Sequence, residues 1–353
     1  MADAPRTVLI SGCSSGIGLE LAVQLAHDPK QRYHGKGPRV GGAGKDRGGH
    51  GFPGPSAFLA LFPLLDVCSD ESVAQCLSCI QGGEVDVLVT FTTTPLVNNA
   101  GVGLVGPLEG LSLAAMQNVF DTNFFGAVRL VKAVLPGMKR RRQGHIVVVS
   151  SVMGLQGVVF NDVYAASKFA MEGFFESLAV QLLQFNIFIS LVEPGPVATE
   201  FEGKLLKQVS TAEFPGTDPD TLHYFRNLYL PASRELFSSV GQSPEDVAKV
   251  SGGLDRAQVC EGDPPYRTPL SLGPRIQGST PQVIVKVIGS ARPPLRRQTN
   301  ARYTPLTALK AMDPSGSLYV RTSHRLLFRW PRLLNLGLRC LACSCFRTPV
   351  WPR

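Results

Sequence analysis

Thr7-Val-Leu-Ile-Ser-Gly-Cys-Ser-Ser-Gly-Ile-Gly18 is the stretch that decides the fold. An apolar run comes first, and a helical pattern from Leu19 to Leu25 follows the last glycine. The three glycines allow a tight turn between a strand and a helix, and the backbone amides at a helix N-terminus can hold a pyrophosphate. The stretch therefore predicts the first strand, turn and helix of a dinucleotide-binding domain.

Strand-like apolar runs alternate with helical patterns from residue 6 to residue 200. This alternation favours an α/β fold, and a length of 353 residues provides for a substantial core. We predict a Rossmann-type doubly wound parallel sheet in a single domain, residues 1–320, followed by a tail, residues 321–353. Irregular segments interrupt the domain at residues 34–63, 90–97 and 251–281, and the first and the last of them are rich in glycine and proline.

Tyr164-Ala-Ala-Ser-Lys168 carries the candidate chemistry. Positions i and i+4 lie on one face of a helix, so the Tyr164 phenol and the Lys168 ammonium are predicted to point the same way. A neighbouring cation lowers the pKa of a phenol from its ordinary value of about 10, which favours proton transfer nearer neutral pH. Ser151 follows the strand-like run Ile146-Val-Val-Val-Ser150 and is placed to hydrogen-bond the same substrate oxygen. Together the three side chains suit the interconversion of a carbonyl and an alcohol.

The order of the motifs is more specific than any one of them, because a Tyr and a Lys at this spacing are common by chance. The chain contains, in order, Ser11-Gly-x-x-x-Gly-x-Gly18, Asn98-Asn-Ala-Gly101, Asn123, Ser151 and Tyr164-x-x-x-Lys168. Pro194-Gly195 then follows the strand-like run Ile187 to Val192. In these elements the chain resembles the short-chain dehydrogenase/reductase family across residues 6–200.

The resemblance implies NADP(H) as cofactor and a set of residues for each role. The implied catalytic residues are Tyr164 as proton donor, Lys168, Ser151 and Asn123, and Ser151 and Tyr164 would also contact the substrate. The implied cofactor contacts are Gly12, Ser14, Ser15, Gly16, Ile17, Gly18, Asp66, Asn98, Ala100, Lys168, Pro194, Gly195 and Thr199. Asn123 would distort its helix, within the helical stretch Leu113 to Met138, and hold a water that links Lys168 to solvent. The alternative is a polar residue on an exposed helix face.

The residues themselves do not choose between NADP and NAD. Residues 34–63 replace the segment whose charged side chain would decide, so NADP(H) rests on the resemblance. Ser14 is the match to the family's contacts with the 2′-phosphate. Asp66 matches the acid that contacts the adenine, and its alternative role is to cap a helix that begins near Ser69.

Cys13-Ser-Ser-Gly-Ile-Gly18, Phe160-Asn-Asp-Val-Tyr164 and Asp313-Pro-Ser-Gly-Ser317 resemble the branch of the family that acts on retinoids and steroids. Within that branch, the stretch from Gly106 to Arg234 and the basic, cysteine-rich tail most resemble the enzymes that act on retinoids. The resemblance therefore implies an NADP-dependent enzyme that interconverts all-trans-retinal and all-trans-retinol, the chemistry of retinoid metabolism and the visual cycle. Two alternatives stay open. One is a 17β-hydroxysteroid substrate, and the other is a non-catalytic protein of this fold whose residues 34–63 cannot hold the dinucleotide. A homodimer is also left open.

The segment Phe201 to Leu236 lies where the family varies its substrate lid. Its aromatic side chains suit a large apolar substrate, but an aromatic stripe is at least as often part of a core. They are Phe214, Tyr224, Phe225 and Tyr229. His223 is either a polar contact to the substrate or a surface residue.

Val85-Asp-Val-Leu-Val89 predicts a strand, yet Thr90 to Val97 separates it from the Asn98 motif. Pro95 cannot continue a central strand, because it has no N–H for the ladder. Either the strand bulges out a loop, or Leu96-Val97 replaces Leu88-Val89 in the ladder.

The net charge of +8 is concentrated at one end, since seven arginines lie in residues 321–353 and no Asp or Glu follows Asp313. Nucleic-acid binding is therefore not expected. The run Lys139-Arg-Arg-Arg142 is interpreted as the solvated end of a helix.

Cys76 and Cys79 are interpreted as buried, unreactive thiols in a helix over Ser72 to Ile80 rather than half of a metal site.

The tail interleaves large apolar residues with arginine, and none of its apolar runs approaches the ~18 residues that span a bilayer. It predicts a helix lying on a membrane surface, with Cys340, Cys343 and Cys345 as acylation candidates, or else a docked C-terminal helix with ordinary thiols. Scattered cysteines and the absence of a cleavable signal favour the cytosolic face. Val350-Trp-Pro-Arg353 resembles the VxPx ending of photoreceptor outer-segment proteins.

Overall fold

The structure, a computed structural model, describes residues 7–13, 16–26, 65–80, 83–91, 104–197, 200–244, 247, 283–300, 304–313, 315–325 and 329. In this part of the chain five strands form one sheet in the order β1-β2-β3-β4-β5, and every pairing is parallel. The strands are β1 (Val8–Ile10), β2 (Val87–Thr90), β3 (Gly144–Val149), β4 (Ile187–Glu193) and β5 (Arg296–Gln298).

Helices connect these strands. They are α1 (Gly16–Ala26), α2 (Asp70–Ser78), α3 (Leu113–Phe120), α4 (Gly126–Arg141), α5 (Asp162–Leu182), α6 (Glu200–Thr211), α7 (Pro219–Tyr224), α8 (Leu230–Val240), α9 (Val283–Gly289), α10 (Thr304–Met312) and α11 (Ser317–His324). Two π-helical segments, Asp121–Phe125 and Phe225–Tyr229, join α3 to α4 and α7 to α8. Short 3-10 turns occur at Leu108–Gly110, Val152–Gly154 and Leu183–Phe185.

Local chemistry explains where several helices begin. The Ser69 side chain accepts the Ser72 N–H at the start of α2, and the Ser112 side chain accepts the Ala115 N–H at the start of α3. Asp218 accepts the Thr221 N–H at the start of α7, where Pro219 occupies the first turn. Such caps satisfy backbone donors that the helix itself leaves open.

The two faces of the sheet are covered by different helices. Alternate strand residues point to opposite faces, so Val8 and Ile10 pack with Leu21 of α1 and Ile284 of α9. On the other face Leu9 belongs to a cluster with side chains of α2, α4 and α5, among them Val73, Leu130 and Phe175. Burial on both faces accounts for the continuous apolar runs in the strands. The predicted doubly wound parallel sheet is confirmed.

The second strand settles an alternative that the sequence left open. Leu88 and Val89 stand in the ladder opposite Ile146 and Val147 of β3. The hypothesis that Leu96-Val97 replaces them is therefore wrong. Residues 92–103 lie outside the described part of the chain, as do the irregular segments 34–63 and 251–281. The division into a domain and a tail stays a prediction.

Candidate active site

Tyr164 and Lys168 lie one turn apart on α5, near the carboxyl end of β3. The Lys168 ammonium nitrogen is 5.6 Å from the centroid of the Tyr164 ring, so the two side chains do share a face of the helix. Lys168 is buried, and its Nζ donates to the carbonyl oxygen of Val149, the last residue of β3, at 3.2 Å. This hydrogen bond holds the cation at the edge of the sheet beside the phenol.

Burial dominates the charge state of this lysine. Desolvation lowers the pKa of Lys168 from 10.5 to about 7, while the charge of Glu172 acts in the opposite direction. A group with this pKa gains and loses a proton near neutral pH. Such tuning is common where a side chain takes part in proton transfer.

Ser151 lies directly beyond β3, at the start of the 3-10 turn Val152–Gly154. Its Oγ accepts the Met153 N–H at 3.1 Å, which leaves the hydroxyl hydrogen able to donate elsewhere. The Val152 N–H donates to the carbonyl of Pro194 at 2.9 Å and ties this turn to the segment after β4. Pro194-Gly195 thus stands next to the serine turn, at the same edge of the sheet.

Asn123 is fully buried within the π-helical segment Asp121–Phe125. The predicted helix distortion is therefore confirmed, and the alternative of an exposed polar residue is wrong. Its Nδ2 donates to Ser167 Oγ at 2.9 Å, and Ser167 Oγ donates to the Tyr164 carbonyl at 2.7 Å. A π-segment shifts the phase of a helix and is often found at functional sites. Here it directs Asn123 toward the turn of α5 that carries Tyr164.

The glycine turn after β1 has the backbone that a dinucleotide site requires. Gly12 and Gly16 adopt left-handed φ values of 64° and 59°, which side chains rarely tolerate. A Cβ at Gly18 would lie 2.3 Å from the Gly12 carbonyl oxygen, so the helix can approach the turn only with glycine there. Ile17 follows in the first turn of α1 and packs beside the core on that face of the sheet. The residues present therefore fit a pyrophosphate at the N-terminus of α1.

Asp66 occupies the turn before α2. Its Oδ1 accepts the Cys68 N–H at 2.9 Å, and its own N–H donates to Ser72 Oγ. The cap of α2 is Ser69, so the alternative reading of Asp66 as the helix cap is wrong. Five further predicted cofactor contacts, Ser14, Ser15, Asn98, Ala100 and Thr199, lie outside the described residues.

The aromatic residues of the predicted lid form a core. Phe225 is fully buried, and its ring lies 5.2 Å from Phe214 and 5.6 Å from Tyr229, measured between centroids. Phe160 packs on both Phe225 and Tyr229. Tyr224 instead is exposed, and His223 is a surface residue bonded to Asn227 at 3.0 Å. The aromatic stripe is thus mainly structural.

Two interpretations of charged and sulfur-containing residues need correction. The run at the end of α4 is not merely solvated, because Arg141 bonds the Val85 carbonyl and pairs with Glu84 and Asp86. Through these contacts Arg141 attaches the end of α4 to the residues that precede β2.

Of the two cysteines interpreted as buried, Cys76 is buried, but Cys79 is exposed. In the described ranges no group of three or more His, Cys, Asp or Glu is placed to hold a metal ion.

Sequence reasoning missed the polar groups on the far side of Lys168. Glu172 and Glu193 are both buried and both pair with Arg296. The spacing of Lys168 and Glu172, again i and i+4, was a signal that could have found the first of them. Arg296 carries no such signal, because it lies 124 residues beyond Glu172.

A parallel doubly wound sheet with a glycine turn after β1 defines a Rossmann-type nucleotide-binding protein, and the buried lysine beside a tyrosine adds a site suited to oxidoreduction. The family model for short chain dehydrogenases matches residues 6–210. The chain belongs to the short-chain dehydrogenase family.

Similar proteins include Retinol dehydrogenase 8 of Bos taurus, 76% identical, and that of Homo sapiens, 70% identical, each aligned over 100% of both chains. 17-beta-hydroxysteroid dehydrogenase type 1 of Homo sapiens is 39% identical over 92% of this chain and 87% of its own. Among solved structures, a short-chain dehydrogenase from Streptomyces avermitilis superposes with a TM-score of 0.59 at 23% identity, covering 94% of this chain and 97% of its own. An actinorhodin polyketide ketoreductase with NADPH gives 0.51 at 25% identity, covering 70% and 89%.

Proposed function

We propose that this enzyme interconverts all-trans-retinal and all-trans-retinol with NADP(H). The observation that carries the proposal is the buried Lys168 ammonium facing the Tyr164 ring at the carboxyl edge of the sheet. Sequence identity of 70% and 76% over the full length of proteins named Retinol dehydrogenase 8 supports the choice of substrate. A ketoreductase with NADPH among the related solved structures supports the choice of cofactor.

In the reductive direction each of the four catalytic side chains has a distinct role. NADPH, when bound, supplies a hydride to the carbonyl carbon. Tyr164 donates its phenolic proton to the carbonyl oxygen, while the Ser151 hydroxyl donates a hydrogen bond to the same oxygen and orients it. Lys168 stabilises the phenolate that remains, and its ammonium would also bind the cofactor ribose. Asn123 holds the turn of α5 that carries Tyr164 through Ser167.

The cofactor would lie along the glycine turn. Gly12, Gly16 and Gly18 let the pyrophosphate approach the backbone amides at the start of α1. Asp66 would contact the adenine at the edge of the sheet. Pro194 and Gly195 would lie against the nicotinamide ring of the cofactor. They stand beside the turn after Ser151, since the Pro194 carbonyl accepts a hydrogen bond from the Val152 N–H of that turn.

The decisive experiment measures turnover of all-trans-retinal and of estrone side by side, with NADPH and with NADH. We expect retinal with NADPH to be preferred, and Tyr164→Phe to lower turnover by roughly 10³-fold with NADPH affinity nearly unchanged. Preference for estrone would replace the retinoid by a 17β-hydroxysteroid, a substrate that the 39% identical relative brings into consideration. Failure of the wild-type protein to bind NADPH would favour a non-catalytic protein of this fold.

We also propose that residues 321–353 attach the enzyme to the cytosolic face of a membrane, where retinal resides. Arg321, Arg325 and Arg329 are exposed and of the sign that anionic lipid attracts, at about 1 kcal/mol each near the surface. An acyl chain carried as a thioester on Cys340, Cys343 or Cys345 would be the second anchor. Of the helices that the structure describes, none has the length and apolar character to cross a bilayer.

Deletion of residues 321–353 should release the protein from sedimented membranes into the supernatant with retinal reduction retained. Replacement of the three cysteines by Ser should release it partially, since the arginines and apolar residues remain. A truncated protein that stays bound to membranes at high salt would place the anchor elsewhere in the chain.

A further inference from the structure

A buried acidic cluster lies beside Lys168 on the side away from Tyr164. Glu172 follows Lys168 by one turn of α5 and is 4% exposed, and Glu193, the last residue of β4, is 1% exposed. Arg296 of β5 faces both, with its Nε 3.1 Å from Glu172 Oε2 and 3.6 Å from Glu193 Oε1. The same guanidinium pairs with Glu176, which is half exposed. The partly exposed Arg296 guanidinium thus forms ion pairs with three carboxylates.

The Glu172 carboxylate is directed toward the catalytic side of this cluster. Across the described residues its Oε1 has no hydrogen-bond partner although it is buried, and the same holds for Ser150 Oγ. Both groups border Gly154 in the turn after Ser151, because a Cβ there would lie 2.8 Å from Ser150 Oγ and 3.2 Å from Glu172 Oε1. A buried carboxylate oxygen without a donor is unfavourable and calls for an explanation.

Lys168, one turn earlier on the same helix, is the cation on which this carboxylate acts. Lys168 and Glu172 are neighbours at i and i+4, and burial of the lysine strongly favours its neutral form. The Glu172 charge opposes this effect, while desolvation and the Glu172 charge together raise the pKa of Glu193 to about 7. Lys168 faces Tyr164 on one side and Glu172 on the other, and Glu172 shares the Arg296 guanidinium of β5 with Glu176 on α5 and Glu193 on β4. Glu172 is the carboxylate nearest to Lys168 along the helix.

We propose that Glu172 is a positioning residue that keeps the buried Lys168 ammonium charged, and that Arg296 holds the Glu172 carboxylate in place for this purpose. The consequence for catalysis rests on the proposed function, in which a charged Lys168 stabilises the Tyr164 phenolate after proton transfer. The charge state of Lys168 itself does not depend on the identity of the substrate.

The direct test is a ¹³C NMR titration of the full-length protein labelled at lysine Cε, with Lys168→Arg used to identify the Lys168 resonance. Glu172→Gln should lower the Lys168 midpoint by about one pH unit, because it removes the charge that opposes desolvation. Glu176→Gln is the matched control. Glu176 also pairs with the Arg296 guanidinium and lies one turn farther along α5 from Lys168. Its replacement removes one carboxylate charge, as Glu172→Gln does, but should leave the Lys168 midpoint unchanged. Equal shifts in both variants, or no shift in Glu172→Gln, would overturn the proposal.

The pH profile of retinal reduction is a second test, because the loss of a purely structural contact at Glu172 would leave the shape of this profile unchanged. In Glu172→Gln the alkaline limb of kcat should move to lower pH by the same amount as the NMR midpoint, with KM for retinal unchanged. Glu172→Asp keeps the charge and should recover most of the wild-type profile. A wild-type protein inactive on retinal would refute the proposed function, while the NMR titration would still decide the role of Glu172.

Discussion

The carboxyl edge of the sheet and the aromatic cluster under α7 and α8 are both buried, but they are built from opposite kinds of side chain. At the edge, Lys168 and Asn123 are each held by a specific hydrogen bond to the backbone or to another side chain. In the cluster, Phe214, Phe225 and Tyr229 pack ring on ring. Buried polar groups impose a free-energy cost unless paired, whereas buried rings contribute to stability directly. Function is therefore expected at the edge and stability in the cluster.

The two regions meet at the start of α5. Phe160 has a left-handed φ of 59° and packs on the aromatic cluster, with its centroid 5.0 Å from that of Phe225. The next residue, Asn161, precedes α5 and donates to the Tyr229 hydroxyl at 2.7 Å. The aromatic cluster thus supports the helix end that carries Tyr164.

The largest effect is expected from Phe225→Ala. The ring is fully buried among Phe160, Phe214 and Tyr229, so its removal leaves a cavity and should lower the free energy of unfolding by about 3–5 kcal/mol. Chemical denaturation would measure the change. Tyr224→Ala, at the exposed neighbouring position, is the control and should change the free energy by no more than about 0.5 kcal/mol. A loss below 1 kcal/mol in Phe225→Ala would mean that the rings form a substrate wall instead of a core.

An intermediate effect is expected at the cofactor turn of the sheet edge. Gly16 has a φ of 59°, and a β-branched side chain in that conformation is strained by about 1–3 kcal/mol. The valine side chain would also stand where the pyrophosphate approaches the backbone amides, so Gly16→Val should raise the Kd for NADPH by roughly 10- to 100-fold, as read by quenching of protein fluorescence. Gly173→Ala on α5 is the control, since an added Cβ there meets nothing within 4 Å. Equal affinity in Gly16→Val and wild type would show that the dinucleotide binds elsewhere.

Much of this comparison could be predicted from the sequence where the signal is periodic or local. The i, i+4 spacing placed Tyr164 and Lys168 on one face, and the glycine pattern placed the turn after β1. The aromatic residues could not be assigned, because a core and a substrate wall use the same side chains. Arg296 could not be found at all, since only the fold brings it to Glu172 across 124 residues. Pairings between distant segments depend on the assembled sheet and leave no local pattern.

The smallest effect is expected from Tyr229→Phe, which removes only the hydroxyl that joins the aromatic cluster to the start of α5. Asn161 Nδ2 also donates to the Val159 carbonyl at 2.9 Å, so the amide keeps a partner when the Tyr229 hydroxyl is lost. Because the Asn161 amide keeps this hydrogen bond, the free energy of unfolding should fall by only about 0.5–1 kcal/mol, the net contribution of an ordinary hydrogen bond to stability. Thermal denaturation against the wild type measures this loss, and kcat for retinal should stay within about twofold, since a 1.4 kcal/mol change in the barrier would be needed for tenfold. A large loss of kcat with little loss of stability would contradict a structural role for Tyr229 and place it in the reacting site.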